Sequence, residues 1–68
     1  MEDPTIKSVV RENNQYVAAI HVLGMLFFLN KETEERSDLF MGEDYSEVNE
    51  ASPEKFNFMA EKALNESL

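Results

Sequence analysis

The chain has no cysteine and no tryptophan, a single histidine, two glycines and two prolines. Without cysteine it has no disulfide and no thiolate-held metal. With His21 as the one imidazole, a transition-metal centre lacks its usual ligands. Gly24 and Gly42 are too few and too far apart for a glycine-rich phosphate loop. The serines have no base beside them, because His21 stands alone in an apolar run and reads as a satisfied core or interface residue. Bases are scarce: six Lys and Arg face fourteen Asp and Glu, giving a net charge of −8 and a pI near 4.4. That balance opposes direct nucleic-acid binding and attachment to anionic lipid surfaces. A membrane-length run is missing as well. The longest apolar stretch, Tyr16 to Leu29, has fourteen residues and includes His21 and Gly24. Spanning a bilayer takes about 20. The stretch also lies too far along, behind too acidic a leader, for a signal peptide. The expectation is no catalytic group, no metal, no cofactor and no membrane. The lack of cysteine fits a reducing compartment, the cytoplasm.

What is present is an asymmetric charge distribution. Met1 to Asn30 carries three acids and two bases, net −1; Lys31 to Leu68 carries eleven acids and four bases, net −7. Between Arg36 and Lys55 there is no base, while Asp38, Glu43, Asp44, Glu47, Glu50 and Glu54 follow one another. So dense a negative field opposes compaction by self-repulsion, and a partner is one reason to keep it. The acids fall in a stretch that reads as exposed, where nothing raises a carboxyl pKa for acid–base work. Their spacing is not that of an EF-hand loop. The bland reading is a solvated acidic face. The functional reading is a contact surface.

Sixty-eight residues form one domain, residues 1–68, and hide only about 60% of their unfolded surface. With disulfides and metal excluded, oligomerisation is the remaining way to add stability. Hydrophobic residues make up 43% of the chain, enough for a core.

Two readings compete at the start. Asp3-Pro4 suits a helix start, with Ile6, Val9 and Val10 at helical spacing. Alternatively, Thr5 to Arg11 is a strand that turns at Asn13-Asn14, since asparagine tolerates the positive φ of a tight hairpin. The β-branched residues favour the hairpin. Gln15–Leu23 and Met25–Asn30 read as strands with a break at Gly24, because glycine is unfavourable inside a helix. A polar loop from Asn30 then leads into a strand near Glu35–Met41. Gly42 to Ser52 is an acidic connector, with Tyr45 and Val48 pinning one short helical turn. Ser52-Pro53-Glu54 is a helix start: a capping serine, a proline preset for the first position and an acid in the first turn. Phe56, Met59, Ala60, Ala63 and Leu64 form the apolar stripe of a helix from Pro53 to about Ser67. The fold class is therefore α+β: a small antiparallel sheet from residues 5–41, packed by a C-terminal helix.

Phe27 and Phe28 are adjacent, and neighbours on a strand point to opposite faces. Phe58 lies off the stripe of the C-terminal helix. Phe27, Phe28 and Phe58 are thus expected to offer apolar surface that a symmetric homodimer covers.

By its size, its lack of cysteine, its charge and the acidic run Asp38–Glu54, the chain resembles the small acidic DNA-mimic inhibitors of bacteriophages. Targets of that group include histone-like nucleoid proteins, RNA polymerase, uracil-DNA glycosylase, restriction enzymes and CRISPR effectors. The resemblance implies a non-enzymatic decoy acting in host cytoplasm, with a basic nucleic-acid-binding protein as its partner. The residues point the same way. Asp44, Glu47, Glu50 and Glu54 have three- and four-residue steps, which on a helix stand about 5–6 Å apart. Phosphates repeat at about 3.4 Å along each DNA strand. Two other classes compete. One is an adaptor or antitoxin-like module that docks the Pro53–Leu68 helix in a groove. The other is a small subunit whose Tyr16–Leu29 segment is covered by other chains.

Overall fold

The structure, a computed structural model, describes residues 4–39 and 45–66. The chain is α+β. Three strands, β1 (Ile6–Glu12), β2 (Tyr16–His21) and β3 (Leu26–Asn30), form an antiparallel sheet in the order β1-β2-β3. Helices α1 (Tyr45–Glu50) and α2 (Pro53–Glu66) follow. The hairpin reading of the first segment holds, and the helix reading from Asp3-Pro4 does not.

Both hairpins close by local chemistry. In the first, the Asn13 side-chain oxygen accepts hydrogen bonds from the backbone N–H groups of Gln15 and Tyr16, both at 2.8 Å. Neither Asn13 nor Asn14 has a positive φ. The asparagine therefore acts as a side-chain turn, not through the left-handed backbone expected. In the second, the Gly24 N–H donates to the His21 carbonyl at 2.7 Å, and the His21 N–H donates to Met25 at 2.7 Å. Gly24 has φ +96°, the position of a three-residue hairpin loop that demands glycine. Gly24 thus separates two strands, as expected, and does so as the turn residue of a hairpin. β2 accordingly stops at His21, two residues before the expected end.

The register explains the packing. β2 and β3 pair without interruption from Tyr16↔Asn30 to Ile20↔Leu26. β1 and β2 shift register between Ile6 and Ser8, and again between Val9 and Arg11. These bulges twist an edge strand, which protects it from pairing with other chains. The second bulge also turns Val10 and Arg11 together toward the helices, where both make contact.

The sheet is buried on both faces within one chain, which corrects the expectation for Phe27 and Phe28. On one face Tyr16, Ala18, Leu26 and Phe28 pack with Val48, Phe56, Ala60, Ala63 and Leu64 of the helices. Small Ala18, Ala60 and Ala63 allow close approach, and the tilted Phe28–Phe56 pair, 6.2 Å between centroids, fills the space. On the other face Val17, Ala19, Phe27 and Leu29 cluster with Ile6 and Leu39. The Arg36 guanidinium lies 4.5 Å from the Phe27 ring centroid. Phe27 is 0% and Phe28 4% exposed, so neither offers surface to a second copy.

The expected strand at Glu35–Met41 is reduced to one bridge, Leu29↔Arg36. Its continuation, Phe40 and Met41, lies outside the described residues, as does Ser67 at the expected end of α2. A side chain takes over part of the ladder: buried Ser37 accepts the Phe28 N–H at 2.8 Å through Oγ and donates its own N–H to the Phe28 carbonyl at 2.9 Å. A hydroxyl in place of a backbone carbonyl ends the pairing and lets the chain cross toward the second face.

The loop before this segment holds a strained residue. Asn30 Oδ1 accepts from the Glu32 and Thr33 N–H groups, and Glu34 sits at φ 63°. A non-glycine residue there costs about 1 kcal/mol. Glu34→Gly is expected to raise the unfolding free energy by roughly 0.5–1 kcal/mol, or to leave it unchanged once its greater unfolded entropy is included. Urea midpoints of the two proteins check this, and a clear loss of stability would contradict the strain.

Candidate interaction surface

The acidic connector is helical, as expected, but six residues long. Such a helix is not stable by propensity. Two contacts hold it. Val48 is fully buried in the core. Arg11, reaching across from β1, donates through Nη1 to the carbonyl oxygens of Val48 at 3.0 Å, Asn49 at 3.4 Å and Ala51. These are the carbonyls left over at a helix C-terminus, where a cation is favoured. α1 has no base of its own in its last turn. The same guanidinium lies 4.8 Å from the Phe56 ring centroid, so one arginine joins β1, α1 and α2. Sequence reasoning missed Arg11. The signal available was the base-free acidic stretch itself, whose helix end needs a cation from elsewhere.

α2 begins as its residues dictate. Ser52 Oγ accepts the Lys55 N–H at 3.1 Å, the Ser52 carbonyl accepts the Phe56 N–H at 2.8 Å, and Pro53 is the first helical residue. Asn13 Nδ2 donates to Asn57 Oδ1 at 2.9 Å, tying the helix to the first hairpin.

The six acids expected to bind a partner do not form one row. Glu47 and Glu50 are exposed at a three-residue step on α1, and Glu54 is exposed in the first turn of α2. Ala51 and Ser52 break the helix between them, so the ridge has two segments. Asp38 is exposed beside Ser37 at the β3 edge, whereas α1 is held to β1 at the other edge. It stands apart from the group. Glu43 and Asp44 lie outside the described residues. Lys55 joins Ser46, Glu47, Glu50, Ala51 and Ser52 around a shallow depression between the helices. The base-free interval in sequence therefore has a base beside it in space. Phe58 is 63% exposed on the outer side of α2, as its position off the stripe required.

Two other polar contacts are tied into the fold. Lys31 Nζ pairs with Glu12 Oε2 at 2.7 Å, and that hydrogen bond and charge lower the Glu12 pKa. His21 packs edge-on against Phe27, 6.1 Å between centroids, and its Nδ1 accepts the Leu23 N–H at 3.0 Å. Among the described residues no three His, Cys, Asp or Glu are placed to hold a metal ion, and no helix is long and apolar enough to cross a membrane.

Among the described residues, Tyr16 is the buried titratable group. Its hydroxyl lies 3.4 Å from Glu61 Oε2. Burial first, and then the Glu61 carboxylate, raise the phenol above its ordinary pKa of 10.0. A pKa raised by folding stabilises the fold fully below the unfolded value and loses that contribution as pH rises through the folded one. Tyr16→Phe is therefore expected to lose less stability than the parent above about pH 10. Urea midpoints measured from pH 8 upward check it. Parallel curves for the two proteins would remove Tyr16 from the alkaline transition.

No family model matches the chain, and neither the curated proteins nor the solved structures include a significant match to it.

Proposed function

We propose that this protein is a non-enzymatic interaction protein, an acidic decoy that occupies the basic nucleic-acid-binding surface of a target. The observation that carries the reading is the fixed group of exposed carboxylates, Glu47, Glu50 and Glu54, on two helices whose junction is held by Arg11 and Ser52. Carboxylates on anchored helices keep their spacing, so a partner's lysines and arginines meet them without first ordering a loop. The net charge of −8 adds long-range steering toward a basic surface. The proposed setting is the cytoplasm of a bacterial host.

The test uses a histone-like nucleoid protein and a labelled DNA duplex. The decoy should displace the duplex without binding it, and its apparent affinity should fall steeply with salt. A ternary complex of nucleoid protein, duplex and this protein would exclude it as a decoy for that class of target.

A second reading has its own observation. Phe58 stands exposed at the middle of the outer face of α2, with Glu54 and Lys55 one turn before it and Lys62 one turn after. An adaptor or antitoxin-like module docking by this helix would lose binding on Phe58→Ser and show little salt dependence. A homodimer, part of our proposal, would draw on Phe58 and the other exposed large apolar residues, Val9, Val22 and Leu23, since Phe27 and Phe28 are buried within the chain.

A further inference from the structure

The outer face of α2 carries an ordered arrangement of charge about one aromatic. Phe58 is 63% exposed, on the side of the helix away from the buried stripe of Phe56, Ala60, Ala63 and Leu64. Four exposed charges surround it, Glu54 and Lys55 before it and Glu61 and Lys62 after it. By the helical repeat, Glu54 and Glu61 lie about 40° and about 60° to one side of Phe58, and Lys55 and Lys62 lie about 60° and about 40° to the other. One flank of the aromatic is acidic and the other is basic.

This pattern does little for the helix that carries it. Neither Glu54 nor Glu61 has a base three or four residues away, the spacing at which opposite charges support a helix. Among the described residues none of these four side chains forms an ion pair. Glu61 accepts the Tyr16 hydroxyl at 3.4 Å, and Lys55 borders the depression beside Glu47 and Glu50.

Symmetry selects the partner. An apolar side chain flanked by charges of both signs fits a surface with a matching apolar group and the opposite order of charge. A second copy of this face supplies both. A two-fold axis parallel to α2 sets the acidic flank of each helix against the basic flank of the other, on both sides of a Phe58 contact. A two-fold axis perpendicular to the helices runs them antiparallel and sets acid against acid and base against base. Flanking charges of this kind fix the orientation of paired helices. We infer that the protein self-associates through α2 as a parallel helix pair centred on Phe58. Glu54 then faces Lys55 of the partner subunit, and Glu61 faces Lys62 of the partner subunit. A chain of 68 residues without a disulfide gains buried apolar surface in this way. The inference rests on the homodimer reading and gives it a seam and a direction. It is separate from the decoy reading, with which it shares only Glu54.

The test uses the full chain, which has no cysteine, so an introduced thiol is the sole one. Sedimentation equilibrium should show a dimer, and Phe58→Ser should weaken it at least tenfold. Asn65→Cys reports the direction, because Asn65 is exposed two turns beyond Phe58 and only about 20° from it around the helix. In the parallel pair the two copies of this position face one another. In an antiparallel pair centred on Phe58 they stand about 20 Å apart along the axis, beyond the reach of a disulfide. Mild oxidation should therefore give several times more covalent dimer for Asn65→Cys than for Ser8→Cys, an exposed position on β1. Lys55→Glu/Glu61→Lys keeps the net charge but sets like charges together in the parallel pair and opposite charges together in the antiparallel one. Added to Asn65→Cys, it should lower the covalent yield to that of Ser8→Cys. The inference is overturned if Asn65→Cys gives no more covalent dimer than Ser8→Cys, or if the charge exchange leaves its yield unchanged. A dimer that survives Phe58→Ser, still folded by its amide spectrum, overturns the inference alone. A parent that stays monomeric overturns the homodimer reading with it.

Discussion

Arg11→Ala is expected to lower the unfolding free energy by about 2–4 kcal/mol, from hydrogen bonds between a charged donor and backbone carbonyls together with a cation–π contact. A domain of this length has a total stability of roughly 3–10 kcal/mol, so the loss is a large share of it. The cause is specific. The guanidinium serves the Val48, Asn49 and Ala51 carbonyls and lies over Phe56. Without it, the end of α1 keeps its negative dipole beside Glu50 and has no cation nearby on its own helix. Arg11→Lys should be intermediate, because an ammonium keeps the charge but loses the planar fork and the ring stacking. Urea unfolding with an unchanged slope would read the difference directly. A loss below about 1 kcal/mol for Arg11→Ala would mean that water serves those carbonyls equally well.

The second large effect concerns binding. Glu47→Gln, Glu50→Gln and Glu54→Gln together are expected to slow association with a histone-like nucleoid protein about tenfold at low salt, and to flatten its salt dependence. The fold should survive. All three side chains are exposed, and exposed charges contribute little to stability. Glu54 is favoured at the start of α2, whereas Glu50 is disfavoured at the end of α1, so the dipole contributions oppose one another. Stopped-flow association at several salt concentrations separates the readings. If rate and salt slope do not move, these carboxylates only solubilise the domain, and the Phe58 face becomes the leading candidate.

Much of the candidate surface was legible in the chain, but its grouping was not. The exposure of Glu47, Glu50 and Glu54 follows from a short acidic connector pinned by one apolar residue, Val48. The position of Phe58 follows from helical periodicity. Asp38 belonged to the same run in sequence, yet it sits at the far edge of the sheet. A charge run is one-dimensional, and the segment around Ser37 follows β3 while α1 follows β1.

By itself the sequence determined the local events. Ser52-Pro53-Glu54 started a helix, because its cap, its preset φ and its first-turn acid act within one turn of chain. Asn13 and Gly24 closed the hairpins, because turn chemistry acts over three or four residues. The β-branched and aromatic runs became strands for the same short-range reason. Tertiary structure decided the rest. It buried both faces of the sheet in one chain, so Phe27 and Phe28 are core on opposite sides. It ended the expected fourth strand at Ser37, where a side-chain hydroxyl replaced the ladder. It gave Arg11 its role through a register shift in β1 that aims the side chain at a helix end nearly forty residues away in sequence. Such outcomes depend on which distant groups share a place in space, and no local spacing in the chain records that.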